Sequence, residues 1–396
     1  MATLVLGIIS TQLTFLSYGT TARSARRFGS GDRDGAVDEG VQASWIALGV
    51  GLGIVTAAWV LAPAVMRALV GGGSDDAMVV AAEAADWLRI AVFGVPWILL
   101  SMAGNGWMRG VQDTRRPVIY VVSGLAVSAV LVVGLVHGMF GLPRLGLLGS
   151  AWANLIGQTI TGALFAQRLI REVGGHRLRP RWTIMRAQLV MARDLIIRSA
   201  SFQICFVSAA AVAARFGVAS VAAHQLVLQL WEFLSLLLDA LAIAAQALVG
   251  AALGAGASRV ASTVARRVTV VSVLAAVVLA VVFALAASLI PRIFTTDEAV
   301  LDQVGVAWWF FVAMIPIAGV VFALDGVLLG SGDAAFLRTA TLIAALVGFL
   351  PLIWASLLFD WGLAGIWTGL VVFMVVRLAA VAWRIRSGRW LRTGVG

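Results

Sequence analysis

The chain is a succession of long apolar runs, separated by short clusters of arginine, glycine and proline. Eleven runs are centred on residues 2–20, 41–68, 87–108, 117–137, 146–168, 194–215, 220–250, 262–290, 304–329, 336–358 and 363–384. Each is about as long as the ~20 residues needed to cross a ~30 Å hydrocarbon core. All are far longer than the ~10 alternating residues of a barrel strand. In lipid such a run must be helical, because only a helix or a closed barrel satisfies its own backbone. The pattern predicts an all-α, polytopic membrane protein whose environment is the lipid bilayer.

Composition agrees: 61% of residues are hydrophobic and 12% are charged, against about 25% charged in a soluble domain. The net charge of +10 would suggest nucleic acid as a partner for a soluble protein. In a membrane protein it instead reflects basic residues collected in cytoplasmic loops, so no nucleic-acid partner is expected. All 29 basic residues are arginine. Cys205 is the single cysteine and lies in an apolar run, so it has no partner for an intrachain disulfide. Met1 leads into an apolar stretch with no basic residues before it, so no cleavable signal peptide is expected.

Arginine sets the predicted orientation. With the loop after the first run placed in the cytoplasm, 23 of the 29 arginines fall on that side. They include Arg23, Arg26, Arg27 and Arg33, the set from Arg168 to Arg193, and Arg384 to Arg392. The opposite loops carry Asp75, Asp76, Glu83, Asp297, Glu298, Asp302 and Asp360. The bias predicts a cytoplasmic C-terminus and a cytoplasmic central basic loop.

An internal repeat underlies the run order. Trp87 to Pro96 followed by Gly110 and Asp113 matches Trp308 to Pro316 followed by Gly330 and Asp333. Gly146-Leu-Leu-Gly149 matches Gly362-Leu-Ala-Gly365, and Phe28-Gly-Ser-Gly31 matches Leu253-Gly-Ala-Gly256. The matches keep their order and their side of the membrane, which indicates a parallel repeat about an axis along the membrane normal. We expect an N-terminal lobe at 1–172, a basic cytoplasmic linker at 173–193 and a C-terminal lobe at 194–390. The second lobe has six runs. The partner of its first run would fall at roughly −30 to −5, before Met1, so eleven of twelve helices are expected.

The segment from Gly19 to Asp32, reading GTTARSARRFGSGD before an Ala/Val-rich run, resembles the junction of the second and third helices of the MATE family, the multidrug and toxin extrusion antiporters. Leu324 to Asp333 and Ala222-Ala-His-Gln-Leu226 resemble its DinF branch. The likeness spans the chain from the family's helix 2 to helix 12. It implies two six-helix lobes forming a V around a cavity, rocking between inward- and outward-open states. Influx of H+ or Na+ would drive efflux of small organic cations or hydrophobic drugs, with no cofactor beyond that ion. It implies a monomer in the plasma membrane. The functional Asp that DinF-type proteins carry on helix 1 would lie before Met1.

Ionisable groups inside spans are costly and mark functional sites by default. Run 220–250 carries Gln225, Gln229, Glu232, Asp239 and Gln246, whose spacing places them on one helical face. This face is expected to line a wet cavity, with inter-helix hydrogen bonding the alternative for the glutamines. Glu232 and Asp239 lie deep in the run without an obvious basic partner, which makes them candidates for a coupling ion or a cationic substrate. Asp325 and its repeat counterpart Asn105 are further candidates. For Asp325 the alternative is an interaction with the arginine-rich rim or a helix end. Gln12, Tyr18, Asn154 and Gln158 are candidates for an uncharged cavity wall or for helix–helix hydrogen bonds. Trp231, beside Glu232, is either a packed side chain or a surface on which an organic cation stacks. Pro96 and Pro316, at matching places, are candidate bending points. Trp87, Trp308, Trp361 and Trp390 fit the interfacial aromatic belt.

An enzyme is not expected. Membrane transferases that hold Mg²⁺ on a diphosphate need clustered carboxylates, and the adjacent acids Asp75 and Asp76 fall in an outer loop. His137, His176 and His224 lack metal-ligand spacing, and nothing resembles a phosphate-binding loop. The competing function is a flippase or exporter of lipid-linked or polysaccharide precursors, for which basic residues in the cavity would be expected.

Overall fold

The structure, a computed structural model, describes residues 14–70, 75–139, 141–173 and 178–394. Every regular element among them is helical. They are α1 (Phe15–Gly29), α2 (Arg33–Val70), α3 (Asp75–Ala91), α4 (Val95–Gly110), α5 (Arg115–His137), α6 (Leu147–Val173) and α7 (Trp182–Ala213). Then follow α8 (Val218–Gly254), α9 (Ser258–Leu285), the short α10 (Ile290–Phe294), α11 (Glu298–Gly330), α12 (Ala334–Ile343), α13 (Leu350–Leu358) and α14 (Gly362–Arg386). A 3₁₀ turn over Val92–Gly94 joins α3 to α4, and a π turn over Ala344–Phe349 joins α12 to α13.

Among the described residues, nine helical stretches are long and apolar enough to cross a membrane. The described part of α1 has 15 residues, and α6 is diluted by Asn154, Gln158 and Arg168. Residues such as Val118, Val122, Leu125 and Val130 on α5, and Val270, Leu274, Val278 and Val281 on α9, are exposed. Apolar surface so exposed would be unfavourable in water by about 25 cal/mol per Å². In acyl chains it meets its own kind.

The chain divides into two compact units, Met1–Ala192 and Arg193–Gly396, and the boundary lies within α7. In the first unit α1 packs on α4 and α2, α4 on α6, and α6 on α5. In the second, α8 packs on α11, α9 on both, and α14 on α11. Its core holds Trp308, Phe311, Phe349, Trp367 and Phe373.

The sequence repeat recurs in the backbone. Left-handed turns occur at Gly31 and Gly256, at Gln112 and Gly332, and at Gly146 and Gly362, the same pairs that the motifs align. The turns also close alike: the Asp113 N–H donates to Met108 O at 2.8 Å, and the Asp333 N–H to Leu328 O at 2.9 Å. This six-to-one bond is the Schellman closure of a helix end. Close crossings repeat too. A Cβ on Gly106 would lie 2.5 Å from Ser17 O, and one on Gly326 would lie 2.1 Å from Ala242 O. Gly110 faces Ala25 N at 2.9 Å and Gly330 faces Gly250 N at 3.1 Å on the same criterion. Each unit therefore contains a corresponding glycine-mediated crossing, α1 with α4 and α8 with α11.

Several expected boundaries shift. The run expected at 194–215 begins at Trp182 as one helix, so residues 182–193 are helical rather than a loop. The run at 87–108 is two helices meeting at the Val92–Gly94 turn. Pro96 stands at the start of α4, where its missing N–H leaves no gap. Pro316 lies within the unbroken α11. Only the first of the two prolines coincides with a helix interruption. Trp87, Trp308 and Trp390 are buried among helices and Trp361 is exposed, so the aromatic-belt assignment does not describe the first three.

Candidate functional site

In the second unit the deepest charge lies between α7, α11 and α14. Asp325 is buried in the last two turns of α11. Its Oδ2 accepts from Arg198 Nη2 of α7 at 2.5 Å and from Arg377 Nη2 of α14. The Arg377 guanidinium lies over Phe202 at 5.0 Å and over Phe373 at 5.7 Å, and Arg198 lies over Phe202 at 5.9 Å. These aromatic faces substitute for part of the arginines' hydration. Asp325 is thus an ion-paired carboxylate. Of the two sequence readings, an interaction with arginine describes its contacts, with partners inside the lobe rather than at its rim. Its repeat counterpart Asn105, half-buried on α4, has an Oδ1 that accepts no hydrogen bond.

The polar face of α8 is graded. Gln225, Gln229 and Glu232 are exposed, Asp239 is half-buried, and Gln246 is buried where Gly330 crosses its backbone. The residues share a face, and the tight α8–α11 crossing covers its lower end. Glu232 lies about 21 Å along α8 from Val218 at 1.5 Å per residue. Trp231 is only 6% exposed and belongs to the core with Leu234 and Trp367. Of the two readings of Trp231, the packed side chain is the one that describes it. His224 lies in the second turn of α8, buried edge-on against Trp367 at 5.9 Å.

In the first unit Tyr18 of α1 and Asn154 and Gln158 of α6 are half-buried, and Gln158 packs beside Gly94 at the α3–α4 turn. Gln12 lies outside the described residues. Sequence reasoning missed the network at the arginine-rich end. Buried Glu39 accepts from Arg23 Nε and Nη2, both at 2.8 Å, and from Gln188 Nε2 of α7 at 2.8 Å. Arg181 Nη1 donates to Asp38 at 2.5 Å, its backbone N–H donates to Gln42 Oε1 at 2.7 Å, and Trp45 Nε1 donates to Leu178 O at 2.7 Å. The stretch expected as a free linker is bonded to α2. An acid pair at i and i+1 followed by Gln at i+4, Asp38-Glu39 and Gln42 at the start of a long apolar helix, was the available signal.

The MatE family profile matches residues 1–133 and 195–354. The chain belongs to the MATE family. Among its relatives, DNA damage-inducible protein F of Escherichia coli is 30% identical over 391 residues, covering 96% of this chain and 82% of that protein. Protein DETOXIFICATION 44, chloroplastic, of Arabidopsis thaliana is 33% identical over 80% of this chain, which matches 60% of its length. This MATE chain thus spans less than two thirds of some curated relatives, and in those proteins other sequence lies outside the match. Among solved structures, the crystal structure of MATE in complex with MaL6 superposes with a TM-score of 0.86 at 21% identity, covering 98% of this chain and 87% of that one. The outward-facing conformation of a multidrug resistance MATE family transporter gives 0.83 at 21% identity, covering 99% and 87%. At that identity the structures speak for the fold.

Proposed function

We propose that this MATE chain is a secondary-active exporter of small organic compounds, driven by inward flow of H+ or Na+ and working by alternating access between its two lobes. The observation that carries the reading is the exposed polar face of α8. Gln225, Gln229 and Glu232 are exposed on a helix made mostly of Leu, Val and Ala. A carboxyl group that far along a spanning helix is unfavourable against lipid and favourable against water, so this face borders an aqueous path. Multidrug resistance protein NorM of Burkholderia vietnamiensis is 30% identical over 75% of this chain, and its name supports drug-like substrates. In this reading the chain works as a monomer in the plasma membrane, with its arginine-rich ends in the cytoplasm, no cofactor and no enzymatic step. The lobes are 1–172 and 194–390, joined through 173–193, and Pro96 is a bending point.

The test is the double variant Glu232→Gln with Asp239→Asn. Ethidium efflux from cells expressing it falls to background at unchanged membrane abundance. Unchanged efflux would refute the reading, and varying pH and Na+ separately identifies the coupling ion. One observation favours the second reading, a lipid-linked precursor flippase: the buried guanidiniums of Arg198 and Arg377 suit a phosphate as well as a carboxylate.

A further inference from the structure

The Asp325 cluster does not balance. Two guanidiniums meet one carboxylate, and both donate to the same oxygen, Oδ2. That leaves a formal excess of one positive charge among side chains that are 3% exposed for Arg377, 7% for Asp325 and 16% for Arg198. Asp194 also takes two arginines, but there Arg193 is 60% exposed and hydrated. At Asp325 water has little access; Arg198 Nε is buried without an acceptor and Asp325 Oδ1 without a donor. An uncompensated buried cation in a membrane lobe is strongly disfavoured, and a guanidinium has five donors, of which few are used here.

The surroundings indicate the kind of anion these arginines would suit. Arg198, Phe202 and Phe206 follow one another at intervals of four on α7, which places them on one face of the helix. Phe202 and Phe206 are half-buried and pack edge-on against Phe373 and Phe349 at 5.5 and 6.4 Å. A charged head group therefore sits at one end of an aromatic strip.

We propose that Arg198 and Arg377, with Asp325 as their internal competitor, form an anion-binding site that takes the carboxylate or phosphate of an amphipathic molecule whose apolar body lies along Phe202 and Phe206. As a substrate site it rests on the exporter reading and adds organic anions to the substrates of this lobe. As a binding site it stands on the charge count alone.

The purified full chain in phosphatidylcholine nanodiscs is titrated with 1-pyrenebutyrate and, as the charge-reversed control, with pyrenemethylammonium, and binding is followed by fluorescence anisotropy. The wild type prefers the anion. Arg198→Gln weakens the anion about tenfold, the scale of one charge-assisted hydrogen bond, and Arg198→Lys restores part of the loss. Asp325→Asn removes the competitor and tightens the anion about threefold, a gain that a variant which merely misfolds does not produce. Adding phosphatidylglycerol distinguishes two sources of the same chemistry. Competition assigns the site to a lipid headgroup and its absence to a free organic anion, and either supports the site. Equal binding of the two probes by the wild type, or an Arg198→Gln variant that keeps full anion affinity, would overturn it. Binding is read without transport, so a chain that moves neither probe across vesicles refutes the exporter reading while leaving this result intact.

Discussion

The α8–α11 crossing gives the sharpest test of the packing. Gly326→Ala places a Cβ 2.1 Å from Ala242 O and 2.7 Å from Ala242 C and Cα. Ordinary contact begins near 3.4 Å, and the obstructing atoms are backbone, so no rotamer change relieves the clash. The helices must separate by about 1 Å, which loosens the neighbouring contact of Gly330 on Gln246 O. Overpacking of this kind costs about 1–3 kcal/mol, and at most about 1 kcal/mol returns through the better helix propensity of Ala. The expected net loss is about 2 kcal/mol. Gly305→Ala is the control in the same helix, since its added Cβ meets nothing within 4 Å, and it changes stability by between zero and about 1 kcal/mol in the favourable direction. Unfolding of the purified chain in mixed dodecylmaltoside–SDS micelles, followed by tryptophan fluorescence, measures both. If the two alanine variants unfold at the same SDS fraction, the close crossing does not hold this lobe together. The argument from backbone contact then fails.

Three further outcomes follow from local geometry. Glu39→Gln removes the buried charge on which Arg23 and Gln188 converge. Because Arg23 is 20% exposed the loss is about 2 kcal/mol rather than the full cost of orphaning a buried ion, read in the same micelle titration. Asp297 caps α11 by accepting from the Ala299 N–H at 3.0 Å, so Asp297→Ala destabilises by about 1 kcal/mol, a shift that Asp297→Ser largely reverses. Ser272 Oγ of α9 donates to Gly319 O at 2.7 Å. Ser272→Ala therefore lowers stability by about 1 kcal/mol, detectable as a lower thermal midpoint by circular dichroism.

Much of the fold was legible because its determinants are local or periodic. A run such as Val268 to Leu285 can only be a span, and the paired glycines at 31 and 256 need a left-handed backbone wherever the chain places them. Gln112 shows how far the repeat constrains structure. It takes φ of 64° at the place where the second copy has Gly332, so the turn persists without the residue that favours it. Boundaries were less legible. Nothing in hydropathy distinguishes the amphipathic start of α7 from a basic loop, because Gln188 and Arg181 are ordered by partners on α2 more than 130 residues away.

Charge was the least legible quantity, for a definite reason. A carboxylate read along one helix looks isolated, whereas its environment is set by helices distant in sequence. Asp325 meets Arg198 across 127 residues and Arg377 across 52, and no helical periodicity links the three. Read along the sequence alone, the intramembrane acids Glu232, Asp239 and Asp325 suggest cations as ligands. In the fold Arg198 turns inward and Arg377 joins it. The same residues then carry one positive charge more than they neutralise. The outward-facing Glu232 and the arginine-clamped Asp325 are therefore acids with different roles. One is open to a cation from water, and the other holds two arginines whose remaining donors need an anion. Taken together, the exporter and anion-site proposals would couple a cation on one helix face to an anionic substrate on another.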